Sequence, residues 1–163
     1  MRQILELLER DATLTPETLA TMTDQPVEEV RAQIAAWERS GAIRRYRAVV
    51  DWDAVDDDPT RETVTAFIDV SITPARGVGF DDVAGRIARF DEVRSVYLVS
   101  GSQDLRCTVT GPTIRAVSDF VSQKLSTIDR VRSTATHFVL KTYKRDGDAF
   151  RTDEPDHRLP VTP

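Results

Sequence analysis

The chain falls into two stretches of different apolar period. Over the first forty residues apolar positions recur at helical intervals, and beyond residue 63 they alternate with polar ones. Ile4, Leu5 and Leu8 form one stripe, with Glu6, Glu9 and Arg10 turned away, which predicts a helix over 2–10. Thr15-Pro16-Glu17 has the composition of a helix start: a hydroxyl that can cap, a proline where no N–H is missed, and an acid in the first turn. The second helix predicted there is short and ends near Met22, with Leu19 and Met22 as its apolar pair. Thr23-Asp24-Gln25 reads as a tight turn. Pro26 opens a third helix running to about Ser40, in which Val27, Val30, Ile34 and Trp37 recur at spacings of 3, 4 and 3 on one buried face. Gly41 is placed to end it. Residues 42–51 read as a β-ribbon anchored by Ile43 and the pair Val49-Val50.

Residues 52–62 are polar, with Asp53, Asp56, Asp57 and Asp58 followed by Pro59, and read as a linker. From Val64 the period is two. Val64, Ala66, Ile68, Val70 and Ile72 alternate with Thr65, Phe67, Asp69, Ser71 and Thr73, which predicts a strand. After a loop over 74–79, Phe80, Val83, Ile87 and Phe90 mark a helix. A strand over 93–100, a turn Gly101-Ser102-Gln103-Asp104 and a strand over 105–110 follow, the last with Leu105, Cys107 and Val109 on one side. Gly111-Pro112 punctuates. Ile114, Val117, Val121 and Leu125 mark a second helix, and 131–143 contains a fourth strand. The order βαββαβ is that of a ferredoxin-like plait, a four-stranded sheet with helices on one face. Val96 and Leu98 against Tyr97 and Val99, and Phe138 and Leu140 against Val139, are apolar on both faces of their strands. The second face is therefore expected to meet another subunit. From about residue 145 the chain is rich in Asp and Pro and reads as a flexible tail, or an arm against a neighbour.

The fold class expected is α+β. A winged helix-turn-helix over 1–51 and a linker over 52–62 lead to a plait over 63–144 and a tail over 145–163. Helix, helix, turn, helix and basic ribbon is the order of a winged helix-turn-helix, whose third helix enters the major groove of double-stranded DNA while the wing follows the phosphates. A small helical bundle that binds no nucleic acid would share the helix pattern; the arginines of Arg44-Arg45-Tyr46-Arg47 favour DNA. Gln25, Glu28 and Arg31 on the third helix and Arg44, Arg45 and Arg47 on the wing are the candidate contacts. Glu28 and Glu29 suit the helix N-terminus but repel phosphate, so the arginines of the wing are expected to supply the attraction.

Composition narrows the alternatives. The net charge of −5 over 163 residues weighs against a non-specific nucleic-acid binder. No apolar run is long enough to span a bilayer, and no basic segment followed by an apolar core marks a secretory leader. With Cys107 the single cysteine, no intramolecular disulfide can form, and a cytoplasmic location is expected. No zinc-ligand cluster, Cys–His pair or glycine-rich phosphate loop is present, so neither metal nor cofactor is expected.

Five segments resemble one family. The run from Ile4 to Ala12, Trp37-Glu38-Arg39-Ser40-Gly41-Ala42-Ile43, and Tyr46-Arg47-Ala48-Val49-Val50-Asp51 look like the DNA-binding half of the Lrp/AsnC, or feast/famine, regulators. Val96-Tyr97-Leu98-Val99-Ser100-Gly101-Ser102-Gln103-Asp104 resembles that family's ligand-loop signature, and the run from Val131 to Lys141 its last strand. The resemblance covers roughly residues 2–144 and implies a transcriptional regulator that responds to an amino acid or related metabolite. It further implies a homodimer formed through the sheets and assembling to a tetramer or octamer. Gly101, Ser102, Gln103, Asp104, Thr134 and Thr136 stand where relatives line the ligand site. Turn N–H groups can hold a carboxylate and Asp104 can pair with an ammonium. The same residues also suit a plain hairpin turn and strand formers. Leu105 departs from the aromatic residue many relatives carry, and Gln25 and Pro26 depart from their apolar and small capping residues.

Two rivals stand beside this reading. A related group with the same layout decarboxylates sirohaem-type tetrapyrroles with histidine and arginine. This chain offers only His137 and His157, and His137 reads as structural. The other rival is a ligand-sensing module whose DNA binding has weakened, which the acidic third helix favours.

Overall fold

A computed structural model describes residues 2–51, 63–73 and 79–150. The chain divides into two compact units, Met1–Asp51 and Trp52–Pro163. The predicted linker, most of the loop over 74–79, and the tail beyond residue 150 with His157 lie outside the described residues.

The first unit holds helices α1 (Arg2–Arg10), α2 (Pro16–Thr23) and α3 (Val27–Ser40). The Thr15 hydroxyl accepts from the Thr18 N–H at 3.2 Å, the cap that its sequence announces. Ile4, Leu8, Leu19, Ala20 and Val30 form the buried core, and Val27, Ile34, Trp37 and Ile43 pack on it half-buried. No strand forms over 42–51, which corrects the predicted ribbon. A ribbon needs a second strand in register beside the first. Instead Ile43 joins the helical core, its N–H donating to Trp37 O at 3.1 Å, and the residues after it form an arm without regular structure.

In the second unit β1 (Val64–Ile72), α4 (Phe80–Ile87), β2 (Val93–Leu98), β3 (Leu105–Gly111), α5 (Ile114–Phe120) and β4 (Val131–Phe138) follow in the expected order. The sheet is antiparallel, ordered β2-β3-β1-β4. Alternation along β1 sends Ala66, Ile68, Val70 and Ile72 into the core. There they meet Leu105, Cys107 and Val109 of β3, Val83 and Ile87 of α4, and Val117 and Phe120 of α5. Both helices thus cover one face. Burial pushes the Cys107 thiol up to about 11, so it packs as an inert apolar group. The second predicted helix ends in a π-helical turn, Val121–Leu125, which seats Leu125 in the core. Phe90 and Phe120 meet edge to face at 5.4 Å between ring centres.

Beyond β4, Lys144–Arg145 and Asp148–Ala149 pair as a two-stranded hairpin, a structured start to the stretch read as flexible from residue 145. Its turn is Asp146-Gly147, both with positive φ (53° and 100°), the Asp-Gly signal for such a turn. No described helix is long and apolar enough to cross a membrane.

Candidate functional site

On the first unit the six candidate DNA contacts differ in their surroundings. Arg44, Arg45 and Arg47 are exposed on the arm that leaves α3. The arm is tied back by the Tyr46 hydroxyl, which donates to Glu38 Oε1 at 3.0 Å. Glu28 is exposed at the start of α3. Arg31 is already engaged: it binds Glu17 of α2 and stands 3.9 Å from Glu28. The Gln25 side-chain oxygen is buried with no hydrogen-bond partner among the described residues. As oriented, that oxygen faces inward rather than toward a groove.

On the second unit the turn between β2 and β3 is built by backbone bonds and two side chains. Asp104 N–H donates to Val70 O at 3.1 Å and Val99 N–H to Asp104 O at 2.9 Å, closing the turn on the end of β1. The Asp104 carboxylate accepts from Ile72 N–H at 2.7 Å, and Ser71 Oγ pairs with Gln103 Oε1. Gly101 sits at φ 144°, a conformation that L side chains rarely adopt, and nothing stands within 4 Å of where its Cβ would be. The turn is therefore pinned on its sheet side and open on the other. An open concavity of about 520 Å³ lies there, walled by residues 98–103 and by Asp69 and Arg106.

The predicted ligand set divides accordingly. Gly101, Ser102 and Gln103 line this concavity; Asp104 does not. Thr134 and Thr136 pair across the sheet with Val70 and Ile68, so their side chains share the helix-covered face. Asp69 and Arg106 are paired on the opposite, open face. An exposed turn and a β-strand threonine look alike in sequence whichever face the register assigns them.

Asp69 and Arg106 are the site residues that sequence reasoning passed over. Asp69 is a polar interruption at a position of β1 facing away from the core, yet only 7% exposed. Arg106 Nε and Nη2 reach its two oxygens at 2.7 and 2.9 Å, a bidentate fork. His137 of β4 places Nε2 3.7 Å from Asp69 Oδ2. The available signal was an acid and a base on neighbouring strands, legible only once the register is known.

Two predictions arise here. Asp104→Ala is expected to cost about 1–3 kcal/mol, because Ile72 N–H loses its acceptor and the turn its tether. Chemical denaturation would check it, and unchanged stability would count against the tether. The other concerns acid. The Arg106 guanidinium, donating to Asp69, holds that carboxyl below the usual carboxylate range. A carboxyl depressed on folding adds stability that is present above the unfolded value, about 3.9, and lost as pH falls through the lower folded one. Asp69→Asn is thus expected to be less stable than wild type at pH 7 and to converge on it only once the pH has fallen through the lowered folded value. A gap constant with pH in circular-dichroism titrations would rule out this contribution.

Comparison with known proteins gives the following. A family model for the Lrp/AsnC ligand binding domain matches residues 65–149. The chain is 50% identical over 161 residues to the HTH-type transcriptional regulator YugG of Bacillus subtilis, across 99% of this chain and 95% of that protein. The crystal structure of the leucine response regulatory protein LrpA of Mycobacterium tuberculosis is similar with a TM-score of 0.71 at 26% identity, over 89% of this chain and 93% of that one. A feast or famine regulatory protein of M. tuberculosis, complexed with L-methionine, is similar with a TM-score of 0.68 at 26% identity, over 89% and 92% of the two chains.

Proposed function

Because this chain belongs to the Lrp/AsnC family of transcriptional regulators, we propose that it binds double-stranded DNA through a winged helix-turn-helix and senses an amino acid or related metabolite at the β2–β3 turn. The observation that carries the reading is the coverage of the match, which runs through both units of a regulator of nearly equal length. The exposed Arg44 and Arg45 on the arm after α3 support the DNA half. On the other unit, the concavity over Gly101, Ser102 and Gln103 supports the sensing half.

The open face of the plait meets a second copy in this reading. Phe67 and Tyr97 lie on it, 44% and 60% exposed, away from the helices. Dimers assembling further would multiply weak contacts on DNA. One observation makes such multiplication important: Arg31, the cation of α3 best placed to read a groove, is shared between Glu17 and Glu28. The protein works in the cytoplasm, where operator and metabolite are both found.

A labelled duplex from upstream of its own gene, titrated with protein with and without an amino-acid mixture, tests the whole. Saturable binding that resists a scrambled competitor, with a midpoint moved by the amino acids, is expected. No preference over the scrambled duplex would overturn the DNA half, and indifference to amino acids the sensing half.

A further inference from the structure

We propose that His137 makes assembly through the open face of the plait sensitive to pH: neutral, it is buried against a second copy, and protonated, it drives the two copies apart. The inference rests on the second copy placed on that face above and adds what regulates the contact.

The charges of the sheet are the starting point. Its four strands hold one acid, Asp69, against Arg94, Arg106 and Arg132. Asp69 is nearly buried, and both of its oxygens are taken by the Arg106 guanidinium. His137 Nε2 stands 3.7 Å from Asp69 Oδ2, beyond hydrogen-bond distance, and its side chain is 61% exposed in the single chain. Phe67 lies directly opposite it on β1, and Ser133 and Ala135 lie along the same face of β4. Among the described residues, two other titratable groups on this face are Arg106 and Tyr97, paired across β3 and β2. Arg94 reaches in from the β2 edge, its Nε donating to the Thr110 hydroxyl at 2.8 Å, and Arg132 lies at the far end of β4. Every charged neighbour of His137 except Asp69 is therefore a cation.

A two-fold contact sets the same patch of each copy against the other, so any net charge on the face is met by its own like. With His137 neutral, Asp69 and Arg106 cancel and the centre of the face carries no net charge. With His137 protonated each copy gains one positive charge, while the acid beside it is already held by a guanidinium. Closing the face would then take an imidazolium out of water with no free carboxylate to meet it, which is far less favourable than burying the neutral ring. Two copies together therefore bind fewer protons than two copies apart. By linkage, pairing is strongest above the imidazole range, about 6.5 for an unperturbed histidine, and is lost as the pH falls through it.

The test uses the full chain and reads sedimentation velocity over a dilution series, with circular dichroism at each pH to follow the fold of the subunit. Wild type is expected to pair about 10-fold to 100-fold more weakly at about pH 5.5 than at about pH 7.5, the upper figure corresponding to one proton excluded from each of two subunits. His137→Gln, which cannot ionise, is expected to pair equally at both. His137→Lys, a permanent cation, is expected to pair at the higher pH as weakly as wild type does at the lower. His157→Gln removes the other histidine and is expected to keep the wild-type response. Pairing of wild type that ignores pH, a response that survives in His137→Gln, or tight pairing of His137→Lys would overturn the inference while leaving the second-copy reading in place. Wild type that stays monomeric at the higher pH would overturn both.

Discussion

Replacing Arg44, Arg45 and Arg47 together with alanine is expected to remove most of the salt dependence of DNA binding. Each phosphate neutralised contributes a slope of about 0.9 in log affinity against log salt, so three contacts contribute roughly 2.7 per subunit and about twice that in a dimer. The loss should be large because three of the seven arginines of the DNA-binding unit stand on this arm, while the start of α3 is acidic. Glu28 and Glu29 stand exposed in the first turn of α3, and Arg31 is compensated by Glu17 and Glu28. The whole chain carries −5. Folding should survive the change, since the three side chains are exposed and the arm is held by Ile43 and Tyr46. Fluorescence anisotropy over a salt series reads the outcome, and equal affinity with equal slope would refute the role given to the arm.

Ile68→Ala is the second change with a large expected effect. Ile68 is fully buried at the centre of β1, flanked by Cys107 of β3 and Thr136 of β4. Truncating it removes apolar contact and leaves a cavity that the sheet, hydrogen-bonded on both sides, can only partly close. A loss of about 2–5 kcal/mol is expected, a large fraction of the stability of a domain this size. Its neighbour supplies the control. Phe67 lies on the other face, so Phe67→Ala should cost little within one subunit and act through self-association, with an effect that depends on protein concentration. Denaturant titrations at several concentrations separate the two. A concentration-independent loss at Phe67 larger than that at Ile68 would mean that the faces have been assigned the wrong way round.

The alternation around Ile68 shows why so much of this fold was legible. Period-two and period-3.6 patterns are local, and burial of one face enforces them. The bounds of α1, of β1 and of the strand opened by Leu105 could accordingly be read from spacing alone. Thr15 and Gly41 announced helix ends because capping is chemistry between near neighbours. The Asp146-Gly147 turn was equally local and was overlooked because the residues around it are polar.

What the sequence left open has one cause. The ribbon over 42–51 rested on a strand whose partner was assumed, and apolar residues in an arm without regular structure serve a helical core as readily as a ladder. Thr134 and Thr136 entered the ligand set through the family resemblance, which says nothing of the face they take in this sheet. Their register with Val70 and Ile68 puts them on the opposite face. A shift of one residue in pairing would have exchanged the faces, and nothing within β4 itself specifies that shift.

Element types, their order and the division into two units thus follow from interactions between residues a few positions apart, which the order of side chains encodes directly. The pairing of Asp69 with Arg106 across 37 positions, the diversion of Asp104 to a backbone N–H 32 positions away, and the concavity that remains between them do not. Those depend on which strands lie side by side and in what register, a choice made by the collective burial of the core rather than by any segment alone.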